Sequence, residues 1–356
     1  MKQTLASLRQ RMAEKEIPYL LVSKPENRYY LSGFTGSTGV LLIGLATADF
    51  LTDFRYTGQA QQQCPHYRIV KAEGPLLAAA AELIIKYQGQ KLYIEENHLT
   101  VKQFQELQEK LPGVKLESSR ELIEELRMVK NPGEMEPLRQ AMAIGDQALA
   151  HILKYVKPGV SEWDLALELE FYMRRQGASG VAFETIMASG PRSALPHGVA
   201  SQRILQAGDL LTMDFGCVYQ GYHSDMTRTV VLGTPDEKQK EIYQIVLEAQ
   251  RAGLAAVKQG VKAREVDEAA RRVIVAKGYG EFFGHSTGHG VGLAIHEKPR
   301  LAATDETILE PGMVVTVEPG IYLPGWGGVR IEDSVLVTPE GCEILTSAPK
   351  DQLLAI

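Results

Sequence analysis

Two stretches of this chain follow one pattern. Residues 208–216, GDLLTMDFG, align with residues 312–320, GMVVTVEPG, so that Asp214 falls on Glu318. Past the turn that follows each stretch, Asp225 falls on Glu332. The approach to each hairpin repeats as well. Lys157-Pro158-Gly159-Val160 and Lys258-Gln259-Gly260-Val261 each lead into a helical stretch, ending at Gly177 and Gly278 with the same spacing. The C-terminal part therefore reads as two copies of one helix–hairpin unit, each contributing two acids. A pseudo-twofold pair of such units places four carboxylates on a shared axis.

The first hairpin, 210–232, reads LLTMDFGCVYQGYHSDMTRTVVL, with its turn at Gln220-Gly221. Side chains alternate along a strand, so Thr212 and Asp214 share one face, as do Asp225, Thr227 and Thr229. Alone, this hairpin fits solvated strand-end acids as well as a cation site. The second copy, in 309–336, decides between them. Four buried carboxylates repel too strongly to persist without protons or cations. Hard divalent cations are their natural partners, with room for two.

Histidines cluster beside the acids. Of the chain's eight, three lie within Phe283-Gly284-His285-Ser286-Thr287-Gly288-His289-Gly290-Val291-Gly292-Leu293-Ala294-Ile295-His296. Glycines there let backbone crowd a site, and a neutral imidazole is a good ligand for divalent transition metals. One of the three completes the carboxylate set, leaving the others to handle protons. His197 lies in the corresponding loop of the first copy, SGPRSALPHG.

The remaining sequence bounds the setting. Hydrophobic content of 44% and charged content of 23% are those of an ordinary globular protein. A net charge of −6 without a basic block argues against nucleic acid as partner. No apolar run spans a bilayer, and the N-terminal segment lacks a signal-peptide core. The three cysteines, Cys64, Cys217 and Cys342, are far apart and fit free thiols in a cytoplasmic protein. Residues 1–126 alternate helix and strand: helical at 5–15, 75–87 and 100–110 with Thr100 as N-cap, extended at 19–22, 40–45, 49–52 and 91–94. That is an α/β domain. The glycine-rich loop 34–39 lacks phosphate-binding spacing and reads as a structural turn. A boundary falls at 127–133, and the second domain covers 133–356. A long helix is expected from 134 to about 155, stopped by Pro158-Gly159, and Ser161 caps the next. Cys217 reads as a small buried apolar residue.

With these motifs assembled, LTMDFG…GYHSDMTRT, GHSTGHGVGLAIHE, TVEPGIY and GGVRIED, the chain resembles the metal-dependent "pita-bread" peptidases across essentially its whole length. These include Xaa-Pro dipeptidase (prolidase), aminopeptidase P and methionine aminopeptidase. The resemblance implies a creatinase-like N-terminal α/β domain and an α+β C-terminal pita-bread domain with internal pseudo-twofold duplication. It implies Asp214, Asp225, His289, Glu318 and Glu332 as ligands of two divalent cations, manganese foremost, with cobalt and zinc as alternatives. His197, His285 and His296 match the non-ligand active-site histidines, and Tyr322 and Arg330 match supporting residues.

The implied activity is hydrolysis of the bond before proline in dipeptides or short peptides, by attack of a metal-bridging hydroxide. Glu318 is the expected proton shuttle, and His296 or His197 stabilises the oxyanion. Arg330 is expected to orient Glu332. A homodimer is the family expectation. The competing readings are a methionine aminopeptidase, a creatinase-like hydrolase and a non-enzymatic binding protein on the same fold. The last two lose ligands that this chain keeps. Dipeptidase and aminopeptidase differ in whether the substrate's far carboxylate is capped. Arg55, in Asp53-Phe54-Arg55-Tyr56, is either part of such a site or a charged strand end.

Overall fold

The computed structural model describes residues 2–356. The chain divides into two compact units, the first ending at Arg127 and the second running Met128–Ile356.

The first unit runs α1 (Lys2–Glu14), β1 (Tyr19–Val22), α2 (Pro25–Ser32), β2 (Val40–Gly44), β3 (Ala48–Thr52), α3 (Thr57–Gln63), β4 (Arg68–Lys71), α4 (Leu76–Lys86), β5 (Lys91–Ile94), α5 (Val101–Lys110), β6 (Lys115–Ser118) and α6 (Leu122–Met128). Its six strands form one sheet in the order β4-β3-β2-β1-β5-β6. β1, β5 and β6 are parallel, whereas β2 runs antiparallel to both its neighbours. Thr100 caps α5 through a reciprocal capping box with Gln103. The loop at 34–39 is a structural turn, because buried Arg28 donates to the carbonyls of Gly36 and Gly39 at 2.7 and 2.8 Å.

The second unit begins with α7 (Pro132–Ile152) and α8 (Glu162–Arg175), then β7 (Gly180–Val181), β8 (Ile186–Ser189), β9 (Leu210–Phe215), β10 (Cys217–Tyr219), β11 (Tyr222–His223) and β12 (Met226–Val231). The second copy follows: α9 (Glu237–Ala256), α10 (Ala263–Ala276), β13 (Gly288–Gly290), β14 (Glu297–Leu301), β15 (Val314–Val317), β16 (Gly320–Leu323), β17 (Gly327–Arg330) and β18 (Asp333–Val337), closed by β19 (Cys342–Ile344) and β20 (Leu354–Ala355). Each copy holds two packed helices and a long hairpin that breaks midway. β9 pairs with β12 and β10 with β11, just as β15 pairs with β18 and β16 with β17. The equivalent glycines share a backbone state too: φ is +101° and +84° at Gly177 and Gly278, +86° and +93° at Gly208 and Gly312.

The break in the first hairpin is forced at Gly216, where a Cβ would sit 1.8 Å from the Ser224 carbonyl oxygen. α7 stops at Ile152, about one turn short of the end expected near 155, since 153–156 tighten into successive turns. Ser161 caps α8 by accepting from the Asp164 amide. Cys217 is fully buried against α7.

The copies are joined through β12 and the segment 330–333. Thr229 Oγ1 donates to the Arg330 carbonyl at 3.0 Å, and the Glu332 amide donates to the Thr227 carbonyl at 3.2 Å. Behind this seam Arg228, fully buried, binds Asp333 at 2.8 Å. Asp333 also takes Lys350, Gln250 and Thr346.

Candidate metal centre and active-site cavity

Carboxylate oxygens of Asp214, Asp225 and Glu332 lie within 4.8 Å of one another, and all three residues are buried. Pairing of β8, β9 and β12 places Asp214 opposite Ile186 on one side and Thr227 on the other. The other copy delivers Glu318 just beyond β15 and Glu332 just before β18. His289, on β13, brings Nε2 to 3.4 Å from both Asp225 Oδ2 and Glu318 Oε1. Its Nδ1 donates to the Gly290 carbonyl at 3.0 Å, which leaves the Nε2 lone pair free to ligate.

The electrostatics of this cluster call for cations. Burial pushes the Asp225 carboxyl well above the usual carboxylate range, and neighbouring Asp214 and Glu318 push it further. Glu332 is raised in the same way, by burial and then by Asp225, Glu318 and Asp214. Burial also raises Glu318, against the pull of His289 and Arg330. Asp214 Oδ1 and Glu332 Oε1 are buried without a hydrogen-bond partner among the described residues. Unpaired buried acceptors are costly unless something positive meets them. The donors therefore fit divalent cations: four carboxylates, two orphaned oxygens and one correctly tautomeric imidazole.

The supporting residues differ from expectation in one respect. Arg330 does not reach the Glu332 carboxylate. Its Nη2 binds Asp214 Oδ2 at 2.6 Å, its Nη1 binds the Tyr322 hydroxyl at 2.8 Å, and its Nε binds Thr227 Oγ1 at 3.1 Å. Glu332 Oε2 is held instead by the Thr227 hydroxyl at 2.7 Å. Arg330 thus reaches Glu332 only through Thr227, and it holds Asp214 of the first copy directly.

His285 is likewise built into a chain rather than left open. Its Nδ1 donates to the Ser286 carbonyl and its Nε2 accepts from Tyr322, both at 2.8 Å. Burial and then Arg330 lower its pKa to about 4, so the ring is neutral. Burial raises the Tyr322 hydroxyl to about 12, against Arg330, so it stays a donor.

A cavity of about 510 Å³ is lined by all five of these candidate ligands. His296 lines it and packs edge-on against His289 at 4.3 Å. Burial and then His289 lower its pKa to about 4. His197 also lines it, exposed on its loop. Phe183, Pro196 and Ile295 supply apolar surface.

Two charged lining residues escaped the sequence reading. Arg300, on β14, stands directly across from His289, so the two side chains share a face. Its guanidinium makes no hydrogen bond or ion pair among the described residues. Glu184 precedes β8 on the other wall. No spacing marks either one, since each reaches the site through strand pairing. In the first unit, Arg55 folds back onto Asp53 at 2.7 Å, forming a charged strand end.

The loop carrying His296 is pinned from beneath by the adjacent Glu297. Lys130 Nζ, 1% exposed, lies 3.2 Å from Glu297 Oε2, and Glu297 Oε1 accepts from the Ala294 amide at 3.0 Å. Removing one partner of a buried pair costs about 3–5 kcal/mol. Lys130→Met is expected to lower kcat at least about tenfold without loss of bound metal. Steady-state kinetics with metal analysis of the purified variant checks this, and loss of metal would contradict it.

Comparison with known proteins places the chain. A family model described as metallopeptidase family M24 matches residues 136–339. The chain belongs to this family. A second, described as the creatinase/prolidase N-terminal domain, matches residues 5–129 of this peptidase. The Xaa-Pro dipeptidase of Pyrococcus horikoshii is 39% identical, over 96% of this chain and 95% of its own length. A solved Xaa-Pro dipeptidase from Bacillus anthracis superposes with a TM-score of 0.97 at 47% identity, over 100% of this chain and 99% of the other. An X-Pro aminopeptidase from Thermotoga maritima superposes at 0.90 with 38% identity, over 97% and 100%. The architecture is the duplicated pita-bread fold with a creatinase-type N-terminal domain. No helix among the described residues is long and apolar enough to cross a membrane.

Proposed function

We propose that this metallopeptidase is a Xaa-Pro dipeptidase, and the observation that carries the reading is Arg300. Its unpaired guanidinium shares a wall with His289, inside a cavity whose other arginine, Arg330, is committed to Asp214 and Tyr322. A dipeptide ends in a carboxylate one residue past the scissile bond. A guanidinium there binds it with charge-assisted hydrogen bonds. Proline has no N–H and a fixed ring, so a site that accepts it needs apolar surface rather than a backbone acceptor. Phe183, Pro196 and Ile295 offer that surface.

Asp214, Asp225, His289, Glu318 and Glu332 would hold two divalent cations, manganese in this reading, which would supply Lewis acidity and lower the pKa of water towards about 7. The chain's own groups do the rest. Glu318 has the most open of the four carboxylates at 17% exposure, and its Oε1 is tied to Thr316 at 3.2 Å. Oε2 is left to take a proton and return it to the leaving prolyl nitrogen. His296 and His197 donate ring N–H groups to the carbonyl oxygen as charge develops. Arg330 keeps Asp214 in register, and Tyr322 with His285 keeps Arg330 in place. The working form is a cytoplasmic homodimer, supported by the free thiols and by the family resemblance.

Kinetics on Ala-Pro, Ala-Ala and Ala-Pro-Ala test the reading. Ala-Pro is expected to exceed both others in kcat/KM. Arg300→Ala should lower kcat/KM for Ala-Pro by about 30- to 100-fold, mainly through KM, as expected for lost hydrogen bonds between charged groups. An equal rate on Ala-Ala would remove the prolyl specificity. Faster cleavage of Ala-Pro-Ala would make the enzyme an aminopeptidase instead.

A further inference from the structure

We infer that Glu184 selects the residue before proline, giving the enzyme a preference for a cationic side chain at that position; this rests on the dipeptidase reading. Every other carboxylate around the cavity is already used. Asp214, Asp225, Glu318 and Glu332 form the metal cluster. Glu162 and Glu170, which brace the same wall, accept from Ser189, Ser201 and Arg192, and from Thr185, respectively. Glu184 is exposed, lines the cavity and makes no hydrogen bond or ion pair among the described residues.

Its place in the fold says which part of a substrate it meets. Glu184 lies two residues before Ile186, and Ile186 pairs with Asp214. Glu184 is therefore at most about 7 Å along the chain from the residue that flanks the first copy's metal ligand. Arg300 lies on the second copy's wall, beside His289. With the prolyl carboxylate on Arg300 and the scissile carbonyl over the ligands, the residue before proline points to the first copy's wall. Its α-amino group is one carbon from the scissile carbonyl, so it stays beside the metal-site carboxylates. A lysine or arginine side chain extends roughly twice the length of a residue step further and meets Glu184. Among the described residues the cavity thus presents an unpaired guanidinium next to His289 of the second copy and an unpaired carboxylate near Asp214 of the first, matching a substrate with a terminal carboxylate and a distal cation.

The test compares lysyl-proline with norleucyl-proline, its near-isostere without the charge, in the manganese-loaded enzyme. The expected kcat/KM ratio is about fivefold in favour of lysyl-proline at low salt, falling as salt rises. In Glu184→Gln the ratio is expected to approach one, and in Glu184→Lys glutamyl-proline should overtake lysyl-proline. A ratio near one in the wild type, or a ratio that Glu184→Gln leaves unchanged, overturns the assignment. So does an equal loss on both substrates, which would place Glu184 on the α-amino group. Failure to cleave norleucyl-proline or Ala-Pro at all would instead be a failure of the dipeptidase reading.

Discussion

Asp225→Asn is expected to lower kcat by about 10²- to 10³-fold and, at the same time, to make the metal-free protein more stable. The two effects share a cause. Asp225 is buried, with Asp214 and Glu318 as the neighbours that raise it most after burial itself. Asparagine keeps the shape and removes the charge, so it relieves repulsion that only cations otherwise neutralise. A gain of about 1–2 kcal/mol would raise Tm by roughly 2–8 °C for a unit of this size. The sign with pH follows from the direction of the shift. The folded pKa lies above the unfolded value of ~3.9, so below that value the group costs nothing. As pH rises above it, the metal-free wild type loses stability that the variant keeps. Metal must displace those protons, so the Tm gain on adding manganese should grow from pH 6 to pH 8 in the wild type and be smaller in the variant. Thermal unfolding in EDTA and in manganese measures all of this. A variant less stable than wild type in EDTA would mean that Asp225 is held by contacts rather than strained by charge.

The acids were legible because strand alternation and an internal repeat act together. The repeat fixes which positions correspond, and alternation fixes which of them face inward. Which ring has a nitrogen free to ligate was not legible from spacing, because three histidines share one loop. What separates them is tertiary: His289 donates Nδ1 to Gly290, whereas Tyr322 occupies His285 Nε2. The partner of Arg330 was misread for a similar reason. Arg330 and Glu332 are close in sequence, yet the guanidinium crosses to Asp214 on the other copy, 116 residues away. Arg300 and Glu184 carry no motif of their own. Each comes to line the cavity because a strand pairing, His289 with Arg300 or Ile186 with Asp214, sets it or its neighbour beside the carboxylate–histidine cluster. Helix α7 ended early because local turn hydrogen bonds closed before the proline–glycine pair was reached.

Arg228→Met should be the most destabilising single change behind the site. Thr227 and Arg228 are neighbours on β12, as Glu332 and Asp333 are at β18, so alternation sends one of each pair forward and the other back. The forward pair, Thr227 and Glu332, belongs to the metal centre. The backward pair is the Arg228–Asp333 bridge at 2.8 Å, with side chains 2% and 0% exposed. Burial alone would raise the Asp333 carboxyl, but Arg228 and Lys350 outweigh it and hold it below the usual range. Arg228 also donates to the Ala348 carbonyl at 2.7 Å and to the Glu332 carbonyl, so it fixes the backbone that presents the Glu332 carboxylate. Methionine fills much of the volume but leaves Asp333 charged with fewer partners. The expected cost is about 3–5 kcal/mol, or roughly 6–20 °C in Tm. Because Asp333 loses a partner that depressed its pKa, it will protonate at a higher pH, and acid unfolding should begin earlier than in the wild type. Adding Asp333→Asn to Arg228→Met should cost less than the sum of the two single changes, since the second removes the charge that the first stranded. Additive losses in that double-mutant cycle would show that the two side chains stabilise the seam independently, and the bridge would not be what ties the copies together.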